Sequence, residues 1–140
     1  MKTIIFIISC TFTFINIKAQ KTYQLPSDIS ANDYMAKTII IKVKPAFVSV
    51  CSDTKIDHPA FTSLATVVGV SNLHKKFLLD KSPEKPFNEV GQAYADLSLI
   101  YELNYTSILT IEKAINKLLL SNILVYAEPP PQEQLIIWQP

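Results

Sequence analysis

The stretch from Asp96 to Pro129 constrains the fold of this chain more than any other, because it reads as a strand, a helix and a second strand. Its first ten residues, DLSLIYELNY, alternate apolar and polar side chains with the period of two that is typical of a strand with one buried face. Apolar residues then recur at spacings of three and four in a single helical stripe: Ile111, Ala114, Ile115, Leu118 and Leu119. A strand face and a helix stripe of this kind must be buried against each other, so the stretch predicts a helix packed on a sheet.

The ends of these elements also carry recognisable signals. Thr110 is placed to cap the first turn of the helix, and Ser121 and Asn122 are placed to stop it. The second strand is predicted over residues 123–128. Pro129 ends that strand, because proline has no N–H to donate to a β-ladder.

A similar unit precedes this one. Ile39, Ile41 and Val43 alternate with polar or outward-facing residues in a strand that Pro45 closes. Asp57-His58-Pro59 is expected to begin a helix, with a capping residue and a proline in the first turn. Its apolar stripe and its left-handed end are formed by Phe61, Leu64, Ala65, Val68 and Gly69. Residues 70–78 are expected to return as a weaker strand whose lysines suit a sheet edge.

The predicted order is therefore strand, helix, strand, strand, helix, strand. Short connections and right-handed crossovers turn that order into an α+β fold, a ferredoxin-like βαββαβ sandwich. We expect a four-stranded antiparallel sheet with both helices on one face. The two central strands would be Lys37–Lys44 and Asp96–Asn104.

The second face of this sheet, here called the open face, is predicted to carry apolar side chains. The alternation directs seven residues at the helices: Ile39, Ile41, Val43, Leu97, Leu99, Leu103 and Val125. Ile40, Ile100 and either Leu124 or Tyr126 would then point away from the helices. Such a patch commonly marks a partner surface, and the alternative is scattered exposed apolar residues without a function. Glu102 and Glu128 are expected to share this face, where they would be solvated or would face a partner.

The N-terminus has the features of an export signal. Met1, Lys2 and Thr3 precede the apolar run IIFII, and Ile-Lys-Ala before Gln20 fits cleavage after Ala19. Residues 1–19 are therefore predicted to be a signal peptide that directs the chain to the periplasm or out of the cell, with no membrane contact after cleavage. The run is too short to span a bilayer, and the alternative is a buried N-terminal strand. Cys10 is not expected to carry a lipid, because only nine residues precede it.

The composition offers little for catalysis, metal binding or nucleic acid. The chain has two glycines and two histidines, His58 and His74, and neither histidine lies at a metal-ligand spacing. Cleavage would leave Cys51 alone, without a disulfide partner. It would also remove Lys2 and Lys18, which leaves eleven basic against twelve acidic residues and no arginine. We therefore predict no catalytic site, no cofactor, no metal and no nucleic-acid partner.

Three segments lie outside the sandwich. Residues 20–36 are polar and aperiodic and are predicted to be a flexible leader. Residues 80–94 make a long connection that is either an insertion or a contact loop. Residues 130–140 are expected to be an extended tail, because consecutive prolines favour polyproline II and an apolar ribbon follows them. The ribbon residues expected to add as a strand to a partner cleft are Leu135, Ile136, Ile137 and Trp138.

Residues 37–129 resemble the N-terminal prodomain of secreted subtilisin-like serine proteases. Four segments carry the resemblance: TIIIKVKP, DLSLIYELNY, IEKAINKLL and the closing VYAEP. The resemblance implies the sandwich fold, an open face that packs on surface helices of the protease, and a tail that lies along its substrate cleft. It also implies a role as intramolecular chaperone and then as transient inhibitor. The partner-binding residues would include Tyr126, Glu128 and Pro129.

The resemblance covers no catalytic domain. In the family, such a domain follows the prodomain, whereas this sequence ends at Pro140. The chain is then expected to be a fragment of a serine endopeptidase precursor, a free-standing inhibitor that acts in trans, or the product of a gene that has lost its second half. The alternative function is a secreted interaction module of the same architecture with no protease partner.

Overall fold

The computed structural model describes residues 22–79, 83, 89–91 and 96–132. The signal peptide predicted over residues 1–19, with Cys10, lies outside these residues. The described elements are the strands β1 (Thr38–Val43), β2 (Val70–Lys75), β3 (Ile100–Tyr105) and β4 (Leu124–Glu128), the helices α1 (Pro59–Val68) and α2 (Ile111–Leu119), and a 3-10 helix (Pro45–Val50) between β1 and α1.

The four strands form one antiparallel sheet in the order β2-β3-β1-β4. Strands β1 and β3 are central, and Ile41 faces Tyr101 on one side and Ala127 on the other. Both helices contact each other, and α2 also contacts β4. The predicted α+β, ferredoxin-like arrangement is confirmed, including the two central strands.

One hydrophobic core lies between the sheet and the helices, and it forms because each element presents one apolar face. The sheet contributes alternate residues of its two central strands, which are almost fully buried: Ile39, Ile41, Val43, Tyr101, Leu103 and Tyr105. The helices contribute the stripes that the sequence predicts: Phe61 and Val68 from α1, and Ile111, Ala114, Ile115 and Leu118 from α2. Burial of this apolar surface is the main favourable contribution to folding.

The helix ends are fixed by local hydrogen bonds and backbone geometry. Thr110 Oγ1 accepts from the Lys113 N–H at 3.4 Å, as expected of a capping residue. Gly69 takes the left-handed conformation after α1, with φ 75°, and Asn122 takes it after α2, with φ 59°. Helix α1 begins at Pro59, as expected, and His58 is its N-cap. The expected side-chain cap is wrong, because the His58 side chain makes no capping hydrogen bond.

Strand β3 begins four residues later than predicted. The Asp96 carboxylate accepts from the N–H and the hydroxyl of Ser98, at 2.9 Å and 2.6 Å, and the Ile100 N–H donates to the Leu97 carbonyl. Such local bonds hold residues 96–99 in a turn in place of a strand. Leu97 therefore does not point at the helices, and the prediction that it does is wrong; it lies on the open face.

Strand β4 contains an irregularity that exchanges two predicted side-chain directions. Lys42 faces Tyr126 and Val43 faces Leu124, so Val125 has no opposite residue in β1. An extra residue in one strand reverses the alternation beyond it. Leu124 is consequently buried in the helix-side core, and Val125 is 55% exposed. The expectations that Val125 faces the helices and that Leu124 can belong to the open face are both wrong.

Candidate partner-binding surface

The register of the sheet brings five of the predicted partner-binding residues onto the open face. Ile40 of β1 lies between Glu102 of β3 and Glu128 of β4. The next row joins Lys42 to Ile100 on one side and to Tyr126 on the other. Tyr126, and not Leu124, is therefore the β4 residue that completes this surface.

Ile40 and Ile100 form the floor of a groove and do not lie on a bare patch. Each is only 8% exposed, although neither belongs to the core on the helix side. A depression of about 470 Å³, here called the open-face groove, lies above them. Its lining residues are Met35, Ile40, Lys76, Phe77, Leu97, Ile100, Glu102, Tyr126, Glu128, Pro130 and Pro131. Their surroundings correct the expectation of a water-facing apolar surface at these two isoleucines.

The two carboxylates of the groove differ in their surroundings. Lys76 Nζ donates to Glu102 Oε2 at 2.9 Å, so the charge of Glu102 is largely compensated. Glu128 is exposed and makes no ion pair with the residues that the structure describes. Burial, and then the nearby Glu128, raise the pKa of Tyr126 above its ordinary value. The β4 side of the groove therefore presents the uncompensated negative charge.

Lys42 separates the groove from one end of the sheet. Its ammonium group donates to the Asp96 carbonyl and lies 3.7 Å from Asp96 Oδ2. The side chain is only 12% exposed, so its aliphatic stem extends the apolar surface between Ile100 and Tyr126. A positive charge held in this way is directed at the turn before β3, away from the floor of the groove.

The other half of the open face is polar. The Asn72 amide donates to Asn104 Oδ1 at 3.3 Å, and the Asn104 amide donates to Thr38 Oγ1 at 3.1 Å. This line of hydrogen bonds runs across β2, β3 and β1. The apolar part of the open face is thus confined to the half that carries Ile40, Ile100 and Tyr126.

One wall of the groove is made by two segments that are far apart in the sequence, the end of the leader and the start of the tail. The Met35 N–H donates to the Pro130 carbonyl at 3.1 Å, and the Gln132 N–H donates to the Asp33 carbonyl at 2.9 Å. Tyr34 and Pro131 form an antiparallel bridge between these bonds. We call this pairing of residues 33–35 with residues 130–132 the leader–tail ladder.

The sequence did not predict the ladder, and it did not place Met35, Lys76 or Phe77 at the groove. The ladder pairs only three residues on each side, which is too few to give a recognisable alternation of apolar and polar residues. The two paired segments are also almost a hundred residues apart in the sequence. Met35 and Phe77 are apolar but lie outside the regular strands, where alternation gives no direction. Leu97 was assigned to the wrong face, because the alternation continues through the turn before β3. The only available signal was the presence of Tyr34 and Met35 within an otherwise polar leader.

The remaining predicted site residues are placed as follows. Pro129 is half-buried directly after β4. Leu135, Ile136, Ile137 and Trp138 lie outside the described residues, as does most of the 80–94 connection. The prediction of a flexible leader concerns motion and stays a prediction, although residues 22–36 make specific contacts.

Reactive side chains elsewhere are engaged in packing. The Cys51 thiol donates to the Phe47 carbonyl at 3.3 Å, and burial raises its pKa. The His58 ring meets the Phe47 ring edge to face, with 5.2 Å between the ring centres. Within the described ranges, no three His, Cys, Asp or Glu side chains converge as a metal site would require. No described helix has the length and apolar character needed to cross a bilayer.

Comparisons of the chain with protein-family models, with curated proteins and with solved structures found no match. The resemblance to subtilisin prodomains therefore stays a prediction from the sequence.

Proposed function

We propose that this chain is a protease-binding prodomain, which acts as a folding assistant and transient inhibitor of a subtilisin-like serine protease. The observation that supports this proposal most directly is the position of the open-face groove beside the start of the tail. Pro130 and Pro131 line the groove, and the chain continues from them into the apolar ribbon. A docking face and an extended segment in this arrangement suit one partner that has both a packed surface and a cleft.

The groove suits the end of a helix on the partner. Its floor offers two isoleucines, and binding would be favoured by the removal of their remaining exposed surface from water. Glu128 adds an uncompensated carboxylate at its rim, and such a group is favourable near the positive N-terminal end of a helix. A surface helix of the catalytic domain that presents apolar side chains beside its N-terminus would satisfy both features.

The tail suits binding in a protease cleft. The run Pro129-Pro130-Pro131 is restricted to extended backbone, so little conformational entropy remains to be lost on binding. The ribbon after it carries the apolar side chains that strand addition to a cleft requires. In a longer precursor the same segment would lead to the processing site.

The proposal is tested by titrating the protein into a subtilisin-type protease and measuring the residual hydrolysis of a peptide substrate. We expect saturable inhibition by the full chain and loss of inhibition when residues 133–140 are deleted. This deletion leaves the leader–tail ladder and the sheet untouched. A matched control is Ile108→Ala, because Ile108 is fully exposed and does not line the groove.

Two other outcomes would contradict the proposal in different ways. Inhibition that survives removal of the tail would leave the open face as the inhibitory surface and refute the cleft mechanism. If neither form inhibits, while the full chain and the deletion variant unfold at the same temperature, the chain is better described as an interaction module without a protease partner.

A further inference from the structure

We propose that Asp33, Tyr34 and Met35 of the leader are positioning residues for the inhibitory tail. They would fix the orientation of residues 130–132, where the tail begins, before the protein binds a protease. This inference rests on the proposed function. It assigns a role to a segment that the sequence alone presents only as a polar leader.

The leader is attached to the sandwich far from the ladder as well. The Asn116 side chain of α2 accepts from the Tyr23 N–H at 2.7 Å and donates to the Tyr23 carbonyl at 2.9 Å. Glu112 Oε1 accepts from the Leu25 N–H at 2.8 Å. The Tyr23 and Leu25 side chains pack against the hydrophobic core. Residues 22–25 are thereby fixed along the polar side of α2.

A second attachment follows a compact turn. The Asp33 carboxylate accepts from the N–H and the hydroxyl of Ser30, at 2.7 Å and 2.6 Å, and these bonds lower the Asp33 pKa. Directly after this turn, Tyr34 packs against the core and takes part in the bridge to Pro131. The leader is therefore held on the sandwich at both of its ends, by residues 22–25 and by Tyr34, where it meets the tail.

The chemistry of the tail makes this pairing important. Consecutive prolines have no N–H, so Pro129, Pro130 and Pro131 cannot donate to any neighbouring strand. The two ladder bonds use the groups that remain, namely the Pro130 carbonyl and the Gln132 N–H. Polyproline stiffens the tail but does not orient it relative to the sheet. The leader supplies that orientation, and a segment ordered before binding loses less entropy on binding.

The test compares Met35→Pro with Met35→Ala in the full chain. Both variants remove the Met35 side chain from the groove wall, but only proline removes the N–H that donates to Pro130. We expect Met35→Pro to inhibit about fivefold more weakly than Met35→Ala, the effect of losing roughly one hydrogen bond. The thermal unfolding temperature of Met35→Pro should fall below that of Met35→Ala by no more than the loss of this one hydrogen bond, because Met35 lies outside the four strands.

Amide hydrogen exchange gives a second readout that does not need a protease. The Gln132 N–H should be protected in the full chain and in Met35→Ala, and it should exchange faster in Met35→Pro. An unprotected Gln132 amide in the full chain would overturn the inference. Equal inhibition by the two variants would also overturn it while leaving the proposed function intact. Absence of inhibition by the unmodified chain would overturn the proposed function and this role together.

Discussion

The two faces of the central strands bury the same kind of residue in different ways. On the helix side, Ile39 and Ile41 are completely buried under α1 and α2. On the open side, Ile40 and Ile100 keep 8% of their surface exposed. The residues around them lie in loops and at strand ends, and several of them have long polar side chains. Similar burial is thus reached by a rigid helical layer in one case and by a thin rim in the other.

This difference separates stability from binding. A side chain packed between two layers has close neighbours on every side, and its loss leaves a cavity that the fold cannot readily fill. A side chain at the floor of a groove has no layer above it, so the space left by its loss is open to water. The helix side should therefore govern folding, and the open side should govern association.

The largest expected effect is on the free energy of unfolding. Leu103→Ala should lower it by about 2–5 kcal/mol, the usual range for a fully buried leucine. Ile40→Ala should lower it by less than about 2 kcal/mol, because its site is open on one side. Urea denaturation followed by circular dichroism measures both changes. Equal losses would show that the rim packs as tightly as the helical layer.

The next effect concerns association in the proposed complex. Ile40→Ala should weaken protease inhibition at least about tenfold, as expected of an apolar residue at the centre of an interface. Val67→Ala serves as the control, because Val67 is an exposed apolar residue of α1 on the opposite side of the sheet. Inhibition constants measured for both variants decide the matter. A larger effect at Val67 would mean that the helices form the interface.

The smallest effect is a difference in alkaline stability between the faces. Burial raises the pKa of Tyr101 on the helix side, where its hydroxyl donates to the Ser52 carbonyl at 2.9 Å. A raised pKa in the folded state means that stability is fully present below the unfolded tyrosine pKa of about 10 and is lost as the pH rises above it. Tyr101→Phe should remove part of that alkaline loss.

The matched variant for this measurement is Tyr126→Phe on the open face. Tyr126 is only half-buried, so its substitution should change the alkaline loss less. Thermal unfolding is measured between pH 8 and about 11 for each variant and for the unmodified chain. The difference between the two cancels the contribution of the lysines, which titrate in both. If Tyr126→Phe had the greater effect, the open face would be the more strongly desolvated of the two.

Sequence periodicity predicted the helix side well. The stripe from Ile111 to Leu118 and the alternation of Ile39, Ile41 and Val43 are properties of single segments, so they are visible without knowledge of the fold. The cap at Thr110 and the left-handed residue at Gly69 are equally local. These features sufficed to predict the order of elements and the sandwich.

The open face was predicted less well, since it depends on pairings between distant segments. The extra residue at Val125 reverses the side-chain direction of Leu124, and nothing in the sequence of β4 marks it. The Asp96–Ser98 turn shortens β3 and moves Leu97 to the other face, although the alternation continues through it. Ile40, Ile100, Glu102 and Glu128 were nevertheless assigned to the correct face, because they lie in regular parts of the ladders. Tyr126 was one of two alternatives there, and the register selects it over Leu124.

The leader–tail ladder has a mechanical consequence. Residues 33–35 lead into β1 and residues 130–132 leave β4, and these two strands are antiparallel neighbours. Tension applied between the two segments would load their bonds one after another, as in the opening of a zipper, and would then pass to the β1–β4 pair. Force applied to the tail in this direction would thus detach it while the helical layer is still intact.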